Sequence, residues 1–210
     1  MDLFFGAGIL LGYLLGAIPS GYLMGKFLKG IDVREHGSGN PGATNVFRVV
    51  GKVPGVLSLL IDVLKGYLPV KAALAFPMEK MPFSHPWMES GFAPLVGLAA
   101  IAGHNWTLFL NFKGGKGVAT STGVFLALLP LPTGIAFLVF VIVFLLTRTV
   151  SLGSLAGSTS LPLAAWFLEG RTGLTLLSAL CTLVIFFLHK KNIKRLLNHE
   201  EPKISFTKEN

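Results

Sequence analysis

Two clusters of this chain combine glycine with cations, hydroxyls and amides. The first is Gly37-Ser38-Gly39-Asn40-Pro41-Gly42-Ala43-Thr44-Asn45, followed by Arg48; the second is Lys113-Gly114-Gly115-Lys116-Gly117. Glycine lets backbone N–H groups approach a ligand closely and tolerates positive φ, so loops of this kind beside Lys and Arg suit an anion. In the first loop Ser38, Asn40, Thr44 and Asn45 offer hydrogen bonds. Arg48 adds a planar fork that matches phosphate oxygens, each charge-assisted bond being worth about 1.5–3 kcal/mol. In the second, Lys113 and Lys116 flank glycine backbone just before a helix starting at Val118, where unpaired N–H groups and the helix dipole favour negative charge. A turn-rich connector and simple anchoring by loop lysines are the plain alternatives, but anchoring does not call for adjacent glycines.

A third group, His189, Asn192 and Arg195, recurs every three residues and so shares one face of a helix continuing from the last apolar run. Snorkelling explains Lys190, Lys191 and Lys194; it explains His189 and Asn192 poorly. Ser151 and Ser154 read most simply as N-capping residues of the sixth span, with ligand contact as the other role. His104 is a base, a ligand hydrogen-bonder or a structural donor. Asp62 and Lys65 are neighbours on one helix face, either functional or a self-neutralising pair.

Two familiar motifs fail. Gly37, Gly39 and Gly42 satisfy G-x-G-x-x-G, but an apolar span rather than a buried strand precedes them and Pro41 interrupts. Lys116 is followed by Gly117 instead of Ser or Thr, which excludes a Walker loop. The single cysteine, Cys181, lies in an apolar run and reads as an inert buried thiol.

The elements that must carry these groups are apolar helices. Hydrophobic residues make up 52% and charged residues only 13% of the chain, and the mean hydropathy is +0.67. Leu3 to Gly25, Ser90 to Phe112, Gly117 to Thr147, Thr149 to Leu168 and Thr172 to Leu188 carry no charge, and such runs reach the roughly 20 residues a membrane helix needs. Val53 to Phe76 forms a further span holding Asp62, Lys65 and Lys71. The first run lacks a basic n-region and is too long for a signal peptide, so it is expected to be retained. Gly8, Gly12, Gly16 and Ser20 form a small-residue stripe for close helix packing. Pro130 and Pro132 are expected to split the longest run in two.

That split gives seven spans, with Lys26, Lys29, Arg34, Arg48, Lys52, Lys113, Lys116, Arg148 and the basic tail on one side and only Lys80 and Arg171 on the other. The positive-inside rule then predicts an all-α polytopic membrane protein of seven transmembrane helices, N-terminus outside and C-terminus in the cytoplasm. Residues 1–198 form one membrane domain and 199–210 a polar cytoplasmic tail. Pro77 to Glu89 is an external loop whose His85 and Trp87 suit the interface. Both glycine loops and the His189 face lie on the cytoplasmic side, where they can converge.

Together these blocks resemble the bacterial PlsY family of membrane acyltransferases. Gly37 to Gly51 looks like its first motif, Gly103-His104 through Lys113 to Thr120 its second, and His189 to Leu196 its third; Asp62-Val63-Leu64-Lys65-Gly66 also matches. Thr107, Lys190 and His199 depart from the usual Pro, Arg and Gly. The resemblance implies acyl transfer from a long-chain acyl phosphate to the 1-hydroxyl of glycerol 3-phosphate, giving lysophosphatidic acid and phosphate in the first acylation of phospholipid synthesis. Ser38, His189 and Asn192 are then the catalytic candidates. Gly37, Gly39, Asn40, Gly42, Thr44, Asn45, Arg48, His104, Lys113, Gly114, Gly115, Lys116, Gly117, Ser154 and Arg195 are the substrate-binding ones. No cofactor, CoA, metal or nucleic acid is expected. The partners are the two substrates and membrane lipid, in a monomer of the bacterial cytoplasmic (inner) membrane with its active site facing the cytoplasm. Chemistry agrees: an acyl phosphate is a mixed anhydride with a good leaving group, so positioning and charge stabilisation suffice without an enzyme nucleophile. No His stands five positions before an Asp, the spacing of the soluble and peripheral glycerol-phosphate acyltransferases. A small-anion transporter is the rival reading, but the internal repeats it favours are missing.

Overall fold

Where no water is available to pair backbone N–H and C=O groups, a chain must pair its own, and apolar runs become helices. In the computed structural model, which describes residues 2–75, 91–170 and 172–204, every regular element is helical. The loop Pro77 to Glu89 with His85 and Trp87 lies outside the described residues, as do Lys80, Arg171 and Lys208. The chain forms two compact units, Met1–Leu128 and Leu129–Asn210.

The first unit contains α1 (Asp2–Ala17), α2 (Ser20–Lys29), α3 (Ala43–Val49), α4 (Lys52–Leu74), α5 (Ala93–Asn105) and α6 (Val118–Leu128). Short 3-10 turns at Val33–Glu35 and Leu108–Leu110 join them. Helix α1 packs on α5, and α4 packs on α3 and α6. The small-residue stripe explains the first contact: Gly8, Gly12 and Gly16 lie against Phe92, Val96 and Ala100, and a Cβ at Gly16 would run into the Ala100 backbone. Likewise Gly66 and Gly123 seat α4 and α6 against each other's carbonyls, at Thr120 and Val63. Ser20 does not continue the stripe as a packing residue. The first span breaks at Ile18–Pro19, because proline has no N–H to extend the ladder, and Ser20 opens α2 with its hydroxyl donating to Asp62 at 2.7 Å.

In the second unit α7 (Pro130–Thr147), α8 (Val150–Glu169), α9 (Thr172–Leu188) and α10 (Lys190–Leu197) follow in order. The long apolar run does break at its prolines, with Leu129 between α6 and α7. Gly153 and Gly157 bring α8 against Phe140 and Ala136 of α7. Along α8 the hydroxyls of Ser154, Ser158, Thr159 and Ser160 donate to carbonyls of the preceding turn, which lets an apolar helix carry them without orphaned donors. The expected capping role of Ser151 and Ser154 is corrected: Thr149 occupies the N-cap, Ser154 bonds Val150 O, and Ser151 bonds Glu201. Helices α9 and α10 are bent by 63°.

Among the described residues, 4 helical stretches are long and apolar enough to cross a membrane: Phe5–Lys29, Lys52–Leu74, Ala93–Leu110 and Pro130–Thr147. The bent pair Thr172–Leu188 and Lys190–Leu197 raises this to 5.

Candidate active site

Asn45, 1% exposed, organises the first glycine loop. Its Nδ2 donates to Val33 O at 2.8 Å and His36 O at 3.0 Å, and its Oδ1 accepts from the Ser38 N–H at 2.9 Å. Gly37, at φ 59°, must be glycine because a Cβ there would strike that Oδ1. Asn40 Oδ1 accepts from the Gly42 N–H at 2.8 Å. Of the four polar side chains expected to face a ligand, Asn40 and Asn45 therefore shape the loop itself. Ser38 is exposed and Thr44 half-buried, while Arg48 stands exposed in the last turn of α3. Ahead of the loop, Arg34 grips Asp32 through Nε (3.0 Å) and a terminal nitrogen (2.6 Å). That side-chain bond holds the Asp32 carboxyl below its ordinary value despite its partial burial.

The second loop differs from its expected form. The amides of Gly114 and Gly115 are not bare but donate to Asn105 O at 3.1 Å and His104 O at 3.0 Å. Missing side chains serve close packing here: a Cβ on Gly114 would collide with the His104 carbonyl, and one on Gly115 with the His104 ring. Gly117, at φ 79°, lies against the Asn105 side chain. Lys113 is exposed and Lys116 half-buried.

The two loops meet within the first unit. A cleft is lined by Pro41 from the first, Gly114 and Gly115 from the second, and the helix break from Ala17 to Ser20. Asp62, Lys65 and His104 also line it. Lys65 Nζ lies 2.8 Å from Asp62 Oδ1, as their i,i+3 spacing predicts, with 5% and 2% of the two side chains exposed. His104 Nδ1 is 3.6 Å from the same oxygen. The break leaves carbonyls without helical partners. Lys65 Nζ donates to Ile18 O at 2.8 Å, and Thr107 Oγ1 to Ala17 O at 2.6 Å. Thr107 sits at φ −70°, a value proline also adopts.

The third cluster belongs to the second unit. His189 is buried at the bend between α9 and α10 and its Nδ1 donates to Ile185 O at 2.8 Å, leaving Nε2 as the basic nitrogen of the neutral ring. Of the three residues expected on one face of a continuing helix, Asn192 and Arg195 do share a face of α10, whereas the helix breaks at His189, which caps α10. One residue receives both: Glu201 Oε1 accepts from Asn192 at 2.5 Å and from Ser151 at 2.8 Å, and Oε2 from Arg195 at 2.6 Å. Burial pushes the Glu201 carboxyl up, but these bonds and the Arg195 charge outweigh it and hold it below the ordinary carboxylate value. The tail is thus fastened rather than merely solvated, with Ile204 N–H also donating to Arg148 O. His199 adopts φ 58°, in the left-handed region that favours glycine. Sequence reasoning missed Ser20 and Glu201, since nothing local distinguishes one serine or one tail acid from its neighbours.

Comparison with known proteins gives one answer. The family model described as glycerol-3-phosphate acyltransferase matches residues 7–199. The glycerol-3-phosphate acyltransferase of Endomicrobium trichonymphae is 44% identical over 95% of this chain and 96% of its own. That of Trichlorobacter lovleyi is 46% identical over 91% and 93%. A crystal structure of PlsY (YgiH), an integral membrane glycerol 3-phosphate acyltransferase, in its glycerol 3-phosphate form superposes with a TM-score of 0.85 at 37% identity, covering 97% of this chain and 95% of the other. Its lysophosphatidic acid form gives 0.82 at 36%.

Proposed function

This chain belongs to the glycerol-3-phosphate acyltransferase family of integral membrane enzymes, and on that premise we propose that it transfers a fatty acyl group from acyl phosphate to the 1-hydroxyl of glycerol 3-phosphate. The observation that carries this reading is the meeting of two glycine loops at one cleft, through Pro41 of the first and Gly114 and Gly115 of the second; in sequence Arg48 follows the first loop, and Lys113 and Lys116 lie in the second. The reaction handles two phosphates at once, one on the acceptor and one leaving from the donor, and two cationic loops side by side meet that requirement. The donor's tail prefers the bilayer by about 0.8 kcal/mol per methylene. Seven crossings with the loops on the cytoplasmic side of the inner membrane keep the phosphate head wet while the chain stays in lipid.

In this mechanism the acceptor hydroxyl attacks the acyl carbonyl directly. The new C–O ester bond forms, the C–O bond to phosphate breaks, and the electron pair leaves with phosphate, which ends as hydrogen phosphate carrying the hydroxyl's proton. Arg48, Lys113 and Lys116 neutralise phosphate charge. Ser38, with His189 and Asn192, orients the hydroxyl, the carbonyl or the departing group, and His189 Nε2 is the alternative proton acceptor. The enzyme uses neither metal nor CoA and acts as a monomer.

Purified protein supplied with labelled glycerol 3-phosphate tests this with acyl phosphate in one arm and acyl-CoA in the other. Lysophosphatidic acid formed from acyl phosphate alone supports the proposal; equal product from acyl-CoA, or uptake into vesicles without product, overturns it.

A further inference from the structure

One oxygen in the first unit reaches toward both glycine loops. Asp62 Oδ1, on a residue 2% exposed, accepts from Ser20 Oγ at 2.7 Å and from Lys65 Nζ at 2.8 Å, and has His104 Nδ1 at 3.6 Å. On one side the path is short: Ser20 begins α2, and the next residue, Gly21, lies so near the Pro41 carbonyl of the first loop that no Cβ fits between them. On the other, His104 receives the Gly115 N–H on its carbonyl and lays its ring where a Gly115 side chain would stand. Lys65 completes the arrangement by holding Ile18 O at the break that turns α1 into α2.

We infer that Asp62, with Lys65, is a positioning residue shared by the two loops: it sets the break at Ile18–Pro19 through Ser20 and Lys65, and steadies the second loop through His104. An i,i+3 pair that only neutralised itself would not need the serine, the histidine and the helix-break carbonyl as well. Pinning both loops to one buried carboxylate fixes the distance between the groups that hold the two phosphates, and oriented transfer is sensitive to displacements of about 1 Å. The inference rests on the loops being the phosphate-holding elements proposed above.

The test is the double variant Asp62→Asn/Lys65→Met in the full-length protein. It removes both charges together, keeps an acceptor opposite Ser20 and keeps the length of the lysine stem. Hydrogen exchange at the Gly114 and Gly115 amides and across residues 39–42 is read beside kcat and KM for glycerol 3-phosphate. The expected result is a folded protein whose exchange accelerates at both loops and whose kcat falls about tenfold or more while KM changes far less. A folded double variant with parental exchange and kinetics overturns the inference, as does a change confined to one loop. Should the double variant fail to fold, Ser20→Ala, which leaves both charges in place, decides by the first loop: accelerated exchange across residues 39–42 supports the inference and parental exchange overturns it. A parent that turns over no glycerol 3-phosphate sinks the functional reading while leaving the exchange comparison intact.

Discussion

Arg195 Nε donates to Glu201 Oε2 at 2.6 Å, tying a helix at the end of the last apolar run to an acid in the tail. The same carboxylate accepts from Asn192, a catalytic candidate, so the tail sets the rotamer of a residue proposed to act on substrate.

Glu201→Gln removes the charge that Arg195 faces and should cost about 1–3 kcal/mol. Because the folded-state value is depressed relative to the unfolded chain, the carboxylate's contribution is present above the unfolded carboxylate range, near pH 4.3. It is lost as pH falls through the folded value. The Tm gap between parent and Glu201→Gln should therefore be full at pH 7 and close progressively below about pH 4.

Arg48→Ala and Lys116→Ala each delete one charge proposed to meet phosphate. Each should lower kcat/KM by about 10- to 100-fold, the equivalent of one charge-assisted bond. Near-parental constants for both substrates would remove these residues from the phosphate assignment.

Direct transfer leaves no covalent intermediate. Intact-mass measurement of protein incubated with acyl phosphate and no acceptor should show no acyl adduct, and Ser38→Ala should lower the rate without any burst of phosphate release. A trapped acyl-enzyme contradicts the mechanism.

Two glycines give opposite expectations. Gly114→Ala places a Cβ against the His104 and Asn105 carbonyls, and this overpacking should cost about 1–3 kcal/mol together with activity. Gly134→Ala, inside α7 with open space around it, should be neutral or stabilising by up to about 1 kcal/mol. Thermal unfolding of the two variants in one detergent compares them directly.

Much of this protein was legible in its sequence because the governing physics is local. Uncharged runs predict helices, since an apolar surrounding forces the backbone to pair with itself. Pro130 and Pro132 predict the break beside Leu129, and three-residue spacing predicts that Asp62 meets Lys65 and that Asn192 and Arg195 share a face. Motif spacing also pointed to the family. What tertiary structure alone decided are the partners across long sequence separations. Ser20 looked like one more small residue in a packing stripe until the break at Pro19 turned its hydroxyl to Asp62. The amides of Gly114 and Gly115 looked bare until the loop folded onto the carbonyls of His104 and Asn105. Glu201 looked like a solvated tail acid until Ser151, Asn192 and Arg195 converged on it. Periodicity reports which residues share a face of one helix; it carries no information on which face of another helix arrives there, because that depends on how the helices pack.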